Sequence, residues 1–308
     1  MSGSVRSLSG RQLRLEHDDY AADVATVGAS LRTLSWRGRP LVRGFAADGL
    51  RPVYAGAILA PWPNRVIDGS YAWDGERRQL ALSEPARGHA LHGLVLWNDF
   101  EVLEEGRDRA VLATVIEAQD GYPHRVGVQV EYVLRERGLV TRVRAELLAG
   151  AAAPFGWGSH SYLCAPGDTV NEWTLSLPAA AVQTVSAERL IPTGVAEVQG
   201  TELDFRRHRV VGETFIDHAF TGLQRDDAGL AHVDVLDAAG VGVRMSWGSE
   251  CGWVQIHTAD RPEPELNRTG LAVEPMTCPP GAFDSAKDVI RLEAGTPHTA
   301  SWRISALG

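Results

Sequence analysis

What most constrains this chain is a two-residue period. Val126, Val128, Val130, Tyr132 and Leu134 alternate with Gly127, Gln129, Glu131, Val133 and Arg135. After a turn at Arg137-Gly138, Leu139, Thr141, Val143, Ala145 and Leu147 alternate with Val140, Arg142, Arg144 and Glu146. Successive side chains of a strand point to opposite faces, so each segment reads as a half-buried strand, and the two as an antiparallel hairpin with one polar face. The pattern returns at Val233 and Val235, passes the turn Asp237-Ala238-Ala239-Gly240, and continues through Val241, Val243, Met245 and Trp247. It recurs near the C-terminus, where Ile290 and Leu292 lead through Gly295-Thr296-Pro297 into residues 298–304. No window of helical length carries an i, i+3, i+4, i+7 stripe, and 32 glycines and 16 prolines recur as turn marks. Many short strands with few helices predict an all-β chain, a large antiparallel β-sandwich. No linker, composition break or fixed repeat divides residues 1–308, so one domain is expected.

Composition matters here for what it excludes. The net charge of −9, with no Lys/Arg block, argues against nucleic acid or an anionic membrane as partner. Nothing approaches the ~18 apolar residues of a transmembrane run. The first twenty residues hold no apolar signal core, and Cys164, Cys251 and Cys278 are few, odd in number and far apart. Reduced thiols and a cytoplasmic location are therefore expected. No Cys-x-x-Cys or His-x-x-x-His pair offers a metal nest, so no zinc is expected.

Against this background a few polar residues look out of place. Leu271-Ala272-Val273-Glu274-Pro275 reads as an apolar strand carrying one carboxylate, with Leu271 and Val273 on one face and Ala272 and Glu274 on the other. Pro275 is expected to end its ladder. An acid at the end of a rigid strand is well placed to have its pKa set by its surroundings. Pro61-Trp62-Pro63-Asn64-Arg65 fixes a backbone around a guanidinium, whose five donors suit hydroxyls or a carboxylate. Gly88-His89-Ala90-Leu91-His92-Gly93 sets two histidines in a glycine-bounded segment. Phe155 to Tyr162 combines aromatics with His160, and Trp157 reads as part of a partly apolar wall beside that titratable group. In Phe215-Ile216-Asp217-His218, burial of Asp217 requires a donor, from protein or ligand. Nine tryptophans supply core, with some left to face the apolar side of a polyol. Together these residues suggest a cleft that binds a polyhydroxylated ligand and moves protons.

Asn64-Arg65, Asp68-Gly69-x-Tyr71, Leu91-His92-Gly93, His160 before an aromatic, Asp217 and Glu274-Pro275 follow one another in an order that resembles the aldose 1-epimerase (galactose mutarotase) family. The resemblance runs from about Gly56 to the C-terminus, and Pro-Trp-Pro-Asn-Arg with Glu-Pro-Met-Thr-Cys-Pro-Pro looks like its bacterial branch that includes sulfoquinovose mutarotase-like proteins. It implies a β-sandwich and a cofactor-free isomerase that interconverts the α and β anomers of a free aldose. Edge strands could pair into a homodimer, so monomer and homodimer both stay open. Carried across, Glu274 matches the family's general base and His160 its general acid. His92, Arg65 and Asp217 match residues that hold substrate and tune charge, with Asp217 expected beside His160. Ser159-His160-Ser161-Tyr162 departs from the frequent Thr-His-Pro-Tyr, and His257 stands where a Tyr is frequent. A phosphorylated or sulfonated sugar would call for further cations, for which Arg51, Arg65 and Arg87 are candidates. A sugar-binding module without turnover is the reading from a different class.

Overall fold

The computed structural model describes residues 6–308. The long alternating segments form its backbone: Arg125–Arg135 and Gly138–Ala149 pair antiparallel, with Val130 opposite Val143 and Arg135 opposite Gly138. Their apolar positions point inward, so Val126, Val128, Val130, Leu139, Val143 and Ala145 are all buried. At ~25 cal/mol per Å² each such aliphatic side chain contributes roughly 1.5–3 kcal/mol. Gly138 makes the turn at φ 109, where a Cβ would sit 2.1 Å from the carbonyl oxygen of Ile304. This hairpin occupies one side of a nine-stranded sheet, and His298–Leu307, Gly242–Trp247 and Ala231–Leu236 follow it in order.

A second sheet, of eight strands, carries the polar residues singled out above. Its central order is Asp217–Leu223, Trp253–His257, Leu271–Met276, Gly158–Ser159 and Ile58–Leu59. Val254, Ile256, Leu271 and Val273 turn one face of it into the core shared with Val233, Val243 and Met245 of the nine-stranded sheet. That is the sandwich the alternation predicts.

Two strand expectations need correction. Ile290–Leu292 does not fold back on residues 298–304; it pairs with Ala153–Phe155, while His298–Leu307 lies between Gly138–Ala149 and Gly242–Trp247. Sequence adjacency favours a hairpin, but the longer strand finds more ladder in the centre of the large sheet. Nor does Pro275 end its strand: it pairs with Val254, and the next residue, Met276, pairs with both Trp253 and Gly158. The missing donor is felt only on the other side. There Ser161 pairs with Val273 and Gly158 with Met276, and the ladder is open in between. The same register carried through the gap sets His160 opposite Glu274. His160 spends its backbone groups elsewhere, its N–H on Ala57 and its carbonyl on the N–H of Gly56.

Candidate active site

The face of the eight-stranded sheet turned away from the core is the floor of a cavity of about 380 Å³. Alternation places Gln255, His257 and Glu274 on this face, because Val254, Ile256 and Val273 occupy the other. Across the strands His160, Glu274 and Gln255 form one row. In the next row His257 stands opposite Asp217. The larger depression of about 570 Å³ over Glu131, Arg142 and Glu250 gathers fewer titratable groups and no histidine.

Glu274 and His160 meet directly, with Nε2 of the imidazole 3.5 Å from Oε1 of the carboxyl. Both are almost wholly buried, with side-chain exposures of 2% and 6%. Burial, aided by the negative charge of Asp217, pushes the Glu274 carboxyl well above the usual carboxylate range. Burial, with His257 adding to it, pushes His160 down to about 3. Each group is thus biased toward its neutral form in the unliganded cleft.

His92 closes the cavity beside them. It sits edge-on to His160, with ring centroids 5.0 Å apart, and also contacts Tyr54. Its Nδ1 accepts the backbone N–H of Asn64, so Nε2 carries the proton and the ring is a neutral donor. Burial pushes its pKa well down, with His160 and Arg65 adding to the effect. The turn behind it is built for close approach: a Cβ on Gly93 would lie 2.0 Å from the carbonyl oxygen of Ala60. His89, the other histidine of that segment, is structural. It is fully buried, accepting from the N–H of Asp68 and bonding the carbonyl of Arg189.

Arg65 reaches the cavity from the strand Arg65–Val66 and is held by a carboxylate that sequence reading missed. Its Nε and Nη2 donate to the two oxygens of Glu84 at 2.7 and 2.9 Å, and Nη1 donates to Asn64 Oδ1. Arg87 donates to the same carboxylate at 3.0 Å. Burial alone would raise the Glu84 carboxyl, but the two guanidiniums overcome it and hold it below its ordinary value. Arg65→Met is therefore expected to cost about 3 kcal/mol, the low end for breaking a buried pair, because Arg87 stays on Glu84. Denaturant midpoints test this, and Glu84→Gln in the same chain should recover part of the loss.

Asp217 lines the cavity but lies three strands from His160, ~14 Å at ordinary strand spacing. It is not placed to hold that imidazole charged, because the two intervening strands put Gln255 and Glu274 between them. Its expected donor is Gln255, whose Nε2 bonds Asp217 Oδ1 at 2.7 Å. Trp157 does not reach the cavity at all. It is fully buried, edge-on to Phe155, with its backbone N–H on Thr277 Oγ1. An odd offset from His160 along the strand sends it to the core face. Arg51 is likewise elsewhere: it donates to the carbonyls of Val27 and Leu96 and stacks on Trp97. Arg65 and Arg87 do line the cavity, and so does a third cation, Arg261, which went unseen because its loop has no periodicity.

The sequence profile of the aldose 1-epimerase family matches residues 11–305. The uncharacterized protein YihR of Escherichia coli K12 is 34% identical over 298 residues, covering 96% of this chain and 93% of YihR. Human galactose mutarotase is 29% identical over 233 residues, covering 70% of this chain and 66% of that protein. The crystal structure of a GalM/aldose epimerase homologue from C. elegans superposes with a TM-score of 0.84 at 18% identity, covering 97% of this chain and 99% of the other.

Proposed function

As a member of the aldose 1-epimerase family this chain is an isomerase, and we propose that Glu274 and His160 are the pair that opens and closes the sugar ring. The observation that carries the reading is their juxtaposition, Nε2 to Oε1 at 3.5 Å, on the floor of one cavity that also holds His92, Arg65 and Asp217. Mutarotation removes a proton from the C1 hydroxyl and delivers one to the ring oxygen. The C1–O5 bond breaks to give the open aldehyde, C1–C2 rotates, and closure occurs on the other face. Glu274 as carboxylate takes the hydroxyl proton and His160 as imidazolium supplies the ring oxygen; closure exchanges the roles. Each positioned group is worth ~10²–10⁴-fold. The two oxygens concerned are bonded to one carbon, which suits two side chains this close. Neutral His92, donating through Nε2, and the N–H groups that Arg65 does not spend on Glu84 and Asn64 hold ring hydroxyls, an orientation contribution separate from the proton steps.

A second reading of the substrate rests on Arg261. Asp260, its sequence neighbour, is taken by Arg268 at 2.7 Å, and Glu84 is taken by Arg65 and Arg87. Among the described residues no carboxylate lies within ion-pair distance of Arg261, whose Nη2 is 3.5 Å from His257 Nε2. An unpaired guanidinium in the cleft of a chain with net charge −9 favours an aldose bearing an anionic group, phosphorylated or sulfonated. NMR exchange spectroscopy at anomeric equilibrium tests both readings. Glucose and galactose are compared with glucose 6-phosphate and sulfoquinovose. Accelerated exchange of any of them is expected; saturable binding without acceleration across the panel would leave only a sugar-binding module. Under the anionic reading, Arg261→Gln raises KM for the charged sugar and leaves that for the neutral one unchanged.

A further inference from the structure

Two buried acceptor oxygens in the cleft have no hydrogen-bond donor among the described residues: Oε2 of Glu274 and Oε1 of Gln255. They belong to register partners on adjacent strands, so their Cβ atoms are ~5 Å apart on one face. The Gln255 amide is oriented by its other end. Its nitrogen bonds Asp217 on the strand to one side, which turns its carbonyl oxygen toward the strand on the other side, where Glu274 stands. Two buried oxygens on neighbouring register partners are each costly to leave without a donor, and one proton on the carboxyl, shared with the amide oxygen, would satisfy both.

We propose that Gln255 is a positioning residue that holds the proton of Glu274 in the unliganded enzyme, through a chain running Glu274 Oε2–H to Gln255 C=O and Gln255 N–H to Asp217 carboxylate. The groups facing Glu274 from neighbouring elements agree with this. Asp217 opposes its ionisation, Arg65 favours it but is committed to Glu84, and His160 and His92 are pushed toward neutrality. Tyr162, on the strand beyond, adds no positive charge. The consequence is a resting state that is the wrong one for ring opening. Before Glu274 accepts the anomeric proton its own must leave. The proton's destination is His160, whose Nε2 lies 3.5 Å from Glu274 Oε1, so that the pair's net charge is unchanged. Sugar hydroxyls donating to the carboxylate then replace what the proton supplied. Gln255 thereby sets how much of the free enzyme is primed.

This rests on Glu274 and His160 being the reacting pair, but its test does not require turnover. Infrared difference spectra of the free protein, wild type against Glu274→Gln, are recorded near neutral pH with 13C-labelled glutamate. A protonated carboxyl band belonging to Glu274 is expected. In Gln255→Leu that band moves to higher frequency as its acceptor is lost, and it titrates away at lower pH. Asp217→Asn weakens the chain in the same direction, and in active protein the acid limb of kcat/KM moves with the band. A merely structural role for Gln255 would change stability without moving either. A Glu274 present only as carboxylate at neutral pH, or a protonated band indifferent to Gln255, overturns the proposal. Should Gln255→Leu fail to fold, Gln255→Met makes the same comparison. Mutarotation with an ionised resting Glu274 would sink the proton chain and leave the proposed function standing; a protonated, Gln255-sensitive Glu274 with no turnover would do the reverse.

Discussion

Glu274→Gln is expected to slow anomer interconversion by ~10²–10⁴-fold, the range one positioned acid or base contributes, while making the protein more stable at neutral pH. The two effects have one origin. Burial raises the folded-state pKa of Glu274 well above its ordinary value, so the stability linked to its proton is fully present below about pH 4.5. It is lost as pH rises through the folded value, where the unfolded chain has already released the proton. An amide of the same shape never ionises and escapes that loss. The variant and the parent should therefore have similar denaturant midpoints near pH 4 and diverge above it, with the variant higher. Polarimetry on freshly dissolved α-anomers gives the rate. Full rate in Glu274→Gln would remove this residue from the chemistry.

His160→Asn is expected to bring a loss of the same ~10²–10⁴ order and the opposite kind of pH signature. The imidazole stays neutral in the folded protein down to about pH 3, whereas in the unfolded chain it takes a proton near 6.5. Its contribution to stability is thus present above about pH 6.5 and lost as pH falls toward about 3. Across that window one differential proton amounts to ~1.4 kcal/mol per pH unit. Removing the imidazole should flatten the acid side of the stability profile by up to that slope. His92 and His257, also pushed down chiefly by burial, keep the remainder. An unchanged acid slope in His160→Asn would show that this ring is not buried neutral.

The distance between these two residues along the chain explains why the site was only half legible in the sequence. Glu274 stood out because a carboxylate in Leu-Ala-Val-Glu-Pro breaks an apolar strand, and His160 because it follows a run of aromatics and glycine. Nothing in either stretch says that the two are register neighbours, since 114 positions separate them. Gln255 and His257 were within reach of the same two-residue logic: Val254 and Ile256 face the core, so the polar residues between and after them share the other face. Glu84 and Arg261 had no such signal. They lie in irregular segments, and only the folded chain shows that one carboxylate binds two arginines while a third arginine is left without a carboxylate. Trp157 was misplaced for the converse reason, because an aromatic near a candidate acid looks the same whether its strand turns it inward or outward.

What the sequence by itself determined is the β-sandwich and the identity of most groups in the cleft. Strand periodicity is written residue by residue, and an ionisable side chain in an apolar strand is visible without coordinates. What only the tertiary structure decided is how charge is paired and buried: which guanidinium is committed, and which carboxyl and imidazole are pushed toward their neutral forms. Those depend on burial and on partners brought together from distant strands, and local sequence encodes neither.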